Sequence, residues 1–98
     1  MANLFENDTK YQEWLAENPT GYVLNTTKSF SKNYAVLHSA TCKKISNTTH
    51  QSGAFTERDY RKVGSKSQND IVTWMKGNIH ISDFTRRCTC LNQQAKRV

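Results

Sequence analysis

The sequence predicts an α+β domain, a small antiparallel sheet packed by two helices. Three observations carry this. Apolar residues recur at helical spacing in two segments, around Trp14 and around Trp74. Between them lie short stretches with strand propensity, Tyr22-Val23-Leu24-Asn25-Thr26 and Tyr34-Ala35-Val36-Leu37-His38-Ser39. The chain has 98 residues, no internal repeat and no linker long enough to divide it, which suits one domain over residues 1–98.

The elements follow in order. Residues 8–18 predict the first helix, with Asp8 or Asn7 as N-cap and Tyr11, Trp14 and Leu15 at i, i+3, i+4. Asn18-Pro19 ends it, because the residue before proline avoids the α region, and Pro19-Thr20-Gly21 turns the chain. Residues 22–26 and 34–39 predict two strands of an antiparallel hairpin, joined by the polar segment 27–33. In the second strand Tyr34, Val36 and His38 share one face. Residues 40–46 predict a short helical turn, residues 46–53 a polar loop, and residues 60–63 another short strand. Ser67-x-x-Asp70 resembles a capping box opening a second long helix, whose apolar stripe is Ile71, Val72, Trp74 and Met75 and which Gly77 is expected to stop. Ile79-His80-Ile81 is expected as a last short strand or an extended segment, and residues 91–98 as a flexible polar tail.

Composition bounds the function. The hydrophobic fraction is 36%, low for a globular chain, so two Trp, four Tyr and four Phe must supply much of the core. A metal or a partner would relieve that shortage. There is no run of apolar residues long enough for a transmembrane helix, and the N-terminal stretch is acidic without a secretory h-region. A cytoplasmic location, reduced cysteines and no membrane partner are therefore expected. The net charge of +6 is uneven: residues 1–27 carry −3, residues 28–66 carry +6 and residues 67–98 carry +3.

All three cysteines fall into two tight clusters, His38-x-x-x-Cys42 and Cys88-x-Cys90. A structural zinc site takes four N or S ligands as two local pairs, so His38, Cys42, Cys88 and Cys90 are the candidate metal ligands and zinc the candidate cofactor. His50 and His80 are alternative fourth ligands. Cys-x-Cys is tighter than the usual Cys-x-x-Cys, and buried thiols with a hydrogen-bonded histidine would explain the same residues without a metal. A Cys3His zinc site carries −1, which Lys43, Lys44, Arg86 and Arg87 would offset.

The excess positive charge points to nucleic acid. Candidate contacts are Lys28, Lys32, Lys43, Lys44, Arg58, Tyr60, Arg61, Lys62 and Lys66, with Arg86 and Arg87 alongside. Cations neutralise phosphates, and the interleaved aromatics Phe30, Tyr34, Phe55 and Tyr60 can stack on unpaired bases. The competing reading is a solvated basic face that keeps a small domain soluble. No Walker loop, GxSxG, HExxH or paired-carboxylate metal motif is present, so a binding module is favoured over an enzyme. The enzyme alternative is a small nuclease or toxin with His38 or His50 as acid–base group and Lys43 or Arg58 as phosphate clamp.

Trp14-Leu15, then Asn18-Pro19-Thr20-Gly21-Tyr22-Val23-Leu24-Asn25, Val36-Leu37-His38-Ser39-Ala40-x-Cys42, Tyr60-x-Lys62-Val63, Trp74 and the final cysteine pair resemble a small module found beside HNH and other restriction-type nucleases in bacteria. The resemblance spans residues 11–90. The cysteine spacing is also loosely similar to the zinc-binding module of bacterial methyl-DNA repair regulators. The resemblance implies a DNA-associated setting in bacterial or phage defence or counter-defence, so that DNA is expected before RNA, with His38, Cys42, Cys88 and Cys90 as the structural or metal cluster. A further alternative is an inhibitor that docks on a nucleic-acid-handling protein complex through its basic face.

Overall fold

A computed structural model describes residues 2–46, 56 and 59–91, with the backbone alone at Lys44 and Ser46. The expected α+β architecture is present as a five-stranded mixed sheet with three helices. The elements are β1 (Asn3–Phe5), α1 (Asp8–Glu17), β2 (Tyr22–Thr27), β3 (Ala35–Ser39), α2 (Lys43–Ser46), β4 (Tyr60–Ser65), α3 (Gln68–Asn78) and β5 (Arg86–Arg87).

Helix α1 starts at Asn7, whose extended backbone lets its side chain accept the Lys10 N–H at 3.1 Å. Asp8 takes no part in that cap and instead accepts from the backbone N–H and hydroxyl of Thr56. The helix closes at Asn18, whose N–H reaches the Leu15 carbonyl and whose amide donates to the Trp14 carbonyl at 2.9 Å.

The β2–β3 hairpin forms as expected, with Leu24 opposite Leu37 and Val23 opposite His38. Strand β4 then pairs along the other side of β2 and, beyond it, with β1, so the sheet order is β1-β4-β2-β3-β5. Among the described strands only β5 runs parallel to its neighbour, through Val36–Arg86 and Leu37–Arg87.

Alternation along the strands sorts two cores. Leu24, Leu37 and Val63 sit in one row and pack with Ile71, Met75 and Ile79 around α3. Val23 belongs to the opposite face and packs with Tyr11 and Leu15 of α1, together with Ala40, Cys42, Ile45 and Cys88. The central row of that face is His38, Val23, Gly64. The Trp14 indole lies directly on Gly64, where a Cβ would come within 2.9 Å of its ring carbons. Strand β4 needs glycine there because the indole takes the space a side chain would fill.

Several expectations need correction. The capping box at α3 does not form: Ser67 has the extended N-cap backbone but no side-chain cap bond, and Asp70 instead accepts from the Ser65 hydroxyl. Gly77 does not stop α3. A helical glycine costs about 1 kcal/mol, while burying Ile71 and Met75 completely yields about 1.5–3 kcal/mol each. The helix therefore runs through Gly77, and His80 ends it in the left-handed region (φ 66°), its N–H closing on the Met75 carbonyl at 2.8 Å. Residues 79–81 form no strand: Ile79 is buried under α3 and the last described strand lies at Arg86–Arg87. Most of the expected loop at 46–53 and all of the expected tail except Leu91 lie outside the described residues.

Candidate metal centre and the groove beside it

The two cysteine clusters meet. The end of β3 and the turn after it bring in His38 and Cys42, and the chain leaving β5 brings in Cys88 and Cys90. Backbone bonds set the spacing: Cys42 N–H to the Ser39 carbonyl at 3.0 Å bends the chain after β3, and Cys88 N–H to the Leu37 carbonyl at 2.8 Å extends the β5 pairing by one residue. The Leu91 N–H then turns back onto the Cys88 carbonyl, which returns Cys90 to the same side.

The four ligand atoms of His38, Cys42, Cys88 and Cys90 all lie within 4.8 Å of one another, so the set could hold a metal ion. The Cys42 and Cys88 sulfurs are 3.8 Å apart. A disulfide requires about 2.05 Å, whereas two thiolates on one tetrahedral zinc, each at about 2.3 Å, stand about 3.8 Å apart. A thiol–thiol hydrogen bond would also suit that distance, but it would not gather four ligands. His38, Cys42 and Cys88 are buried and Cys90 is half-buried, as a closed structural site requires. The Ser39 N–H points at the Cys90 sulfur at 3.4 Å, the kind of outer bond that supports a thiolate ligand. Tyr11 ties α1 to the same corner by donating to the Ile45 carbonyl at 2.6 Å. Burial, with the charge of Asp8 next in weight, pushes its phenol pKa well above the usual value.

His80 is exposed at the end of α3 and is not in the cluster. His50 lies outside the described residues, as do Arg58 and Phe55.

The candidate nucleic-acid residues divide by position. Lys28, Lys32, Lys43, Lys66, Arg86 and Arg87 are exposed, Tyr60 is exposed by 39%, and Arg61 is half-buried. The side chain of Lys44 is outside the described set. Lys62 is no surface cation: it is 4% exposed, and its ammonium donates to the Asn25 amide oxygen at 2.8 Å. Burial lowers its pKa to about 8, against a smaller opposing pull from Asp8. Phe30 packs edge-on to Trp74 at 5.2 Å and belongs to the α3 core.

Beside the Cys/His cluster, on the sheet face that carries α1, a groove of about 540 Å³ opens. Val36, His38 and Asn25 are at its floor by their shared face, and Tyr34, Arg86 and Thr85 are among its walls. Ile45 and Cys88 line it as well, Cys88 being shared with the Cys/His cluster. Among the described residues that line it, none carries a carboxylate. The sequence already sets Tyr34, Val36 and His38 on one face; adding Asn25 needs the hairpin register, and adding Arg86 needs the β3–β5 pairing.

No family model matches the chain, and neither the curated proteins nor the solved structures yielded a match.

Proposed function

We propose that the chain is a non-enzymatic nucleic-acid-binding module, DNA before RNA, in which zinc bound by His38, Cys42, Cys88 and Cys90 staples the binding surface. The observation that carries this reading is the convergence of those four side chains within 4.8 Å, two of them, His38 and Cys88, lining a groove that also bears Arg86. Three thiolates and a neutral imidazole around Zn²⁺ leave −1, and exposed Lys43, Arg86 and Arg87 near the cluster in sequence more than offset it. Lys28 and Lys32 extend the exposed positive charge along the β2–β3 connection. The resemblance to modules beside restriction-type nucleases would set this binding in a bacterial or phage defence or counter-defence system.

A nuclease using His38 as acid–base group fits less well, because His38 is buried among three thiols. The test is fluorescence anisotropy with single-stranded DNA, duplex DNA and RNA at rising salt. If about four phosphates are contacted, single-strand affinity should fall roughly 50-fold between about 50 and 200 mM salt. Absence of binding to all three at the lower salt overturns the reading. A tight protein complex without retardation of nucleic acid would favour the inhibitor alternative instead.

A further inference from the structure

We infer that the groove beside the metal cluster receives one unpaired nucleotide, its base against Tyr34 and its phosphate on Arg86. This rests on the nucleic-acid reading above and specifies which form of nucleic acid the site selects.

Size comes first. At about 540 Å³ the groove falls in the middle of the range, about 300–1,000 Å³, of small-ligand sites. A duplex cannot enter it without giving up a base, whereas a single strand offers bases already unstacked.

Chemistry comes next. Tyr34 is half-buried, and its ring leans on that of Tyr60 at 5.4 Å, which steadies it as a stacking platform. Asn25 is held from two sides: its amide N–H₂ donates to the Tyr34 hydroxyl at 3.2 Å and its oxygen accepts from Lys62. An asparagine amide has two N–H groups and two oxygen lone pairs. One of each is thus engaged, and one of each is left to meet a base edge from a fixed position. Lys62 acts here as a positioning residue, fixing Asn25 from the neighbouring strand. Arg86 is exposed at the rim and no described lining residue carries a carboxylate, so an anionic group there meets the guanidinium, while the −1 of the zinc-bound cluster at the other end is offset by Lys43 and Arg87. Val36 supplies apolar floor beneath the base.

The experiment uses the zinc-loaded full chain with a single-stranded oligonucleotide carrying 2-aminopurine, and the matching duplex as control. Binding of the single strand should quench the 2-aminopurine through stacking. Tyr34→Ala should lower single-strand affinity about tenfold and abolish the quench while leaving duplex affinity unchanged. Tyr34→Phe, which keeps the ring but removes the hydroxyl that holds Asn25, should keep the quench and lose less affinity than Tyr34→Ala. Arg86→Ala should weaken single-strand binding and flatten its salt dependence. Binding by the wild type without quenching overturns the inference, as does an equal loss for single strand and duplex in Tyr34→Ala. In both cases the nucleic-acid reading survives. If neither nucleic acid binds the wild type, both fall together.

Discussion

Removing the metal should unfold or strongly destabilise this chain, and the size of the effect can be worked from the position of the ligands. Cys42 and Cys88 are 46 residues apart in sequence and 3.8 Å apart at their sulfurs. Closing a loop of that length through a cross-link removes chain entropy worth about 4 kcal/mol from the unfolded state. For a chain of 98 residues each kcal/mol moves the melting temperature by about 4–8 °C. Chelation under reducing conditions should therefore lower the melting temperature by about 15–30 °C, and elemental analysis of the untreated protein should return one zinc per chain. Cys90→Ser separates the metal from mere packing. Cys90 is only half-buried, so as a core residue its loss should cost less than about 1 kcal/mol. As a ligand it should cost about as much as chelation. Circular dichroism melts of the wild type, the chelated wild type and Cys90→Ser provide the comparison. Substoichiometric metal together with a chelator shift below about 4 °C would refute the reasoning and leave the cluster as three thiols and a histidine.

Two further outcomes test the packing and the electrostatics. Gly64→Ala places a methyl group 2.9 Å from the Trp14 ring, and should cost about 1–3 kcal/mol in urea unfolding; an unchanged midpoint would show that the indole does not seat on β4. Lys62 has a folded pKa of about 8 against an ordinary lysine value of 10.5, so below about pH 8 both folded and unfolded chains hold the proton and the burial cost stays constant. Between those values the unfolded chain holds a proton that the folded chain has released, so stability must rise with pH there. Relative to Lys62→Met, the wild type should gain on the order of 2–3 kcal/mol from about pH 7.5 to 10. Parallel pH profiles for the two proteins would sink the argument.

The parts of the fold legible in sequence are those governed by local pattern. Tyr11, Trp14 and Leu15 announce α1, Ile71 and Met75 announce α3, and the two runs flanking the polar connection announce the hairpin. What local pattern does not carry is decided by pairing at long range. Strand β1 is three residues, Asn3–Phe5, and exists because Val63 and its neighbours in β4 supply a partner. Lys62 reads as a surface cation by type; its burial follows from standing opposite Asn25 in a central strand. His80 has no glycine-like signal, yet it takes the left-handed end of α3 because Ile79 must turn under the helix. The candidate metal ligands are legible as two clusters by spacing alone, but their meeting depends on β5 adding beside β3. The groove is half legible, through Tyr34, Val36 and His38, and its other wall belongs to the same distant strand.

That strand is the weak point a bound metal would compensate. β5 is two residues long, both charged and both exposed. The Thr85 N–H to the Ala35 carbonyl and the Cys88 N–H to the Leu37 carbonyl flank its pairing. Each such bond nets about 1 kcal/mol. Ordering residues 84–91 costs about 1–2 kcal/mol per residue in backbone entropy alone. Those bonds, with the ones the Thr85 hydroxyl makes to Ala35 and the Ser39 N–H makes to the Cys90 sulfur, offset a share of that cost, and buried Cys88 with partly buried Phe84 and Leu91 adds apolar burial. Metal coordination through Cys88 and Cys90, as proposed, would add stabilisation where the strand is shortest. Arg86, two residues before Cys88, stands at the rim of the groove. On the proposed reading the metal would not touch the nucleotide; it would hold in place the edge strand that does.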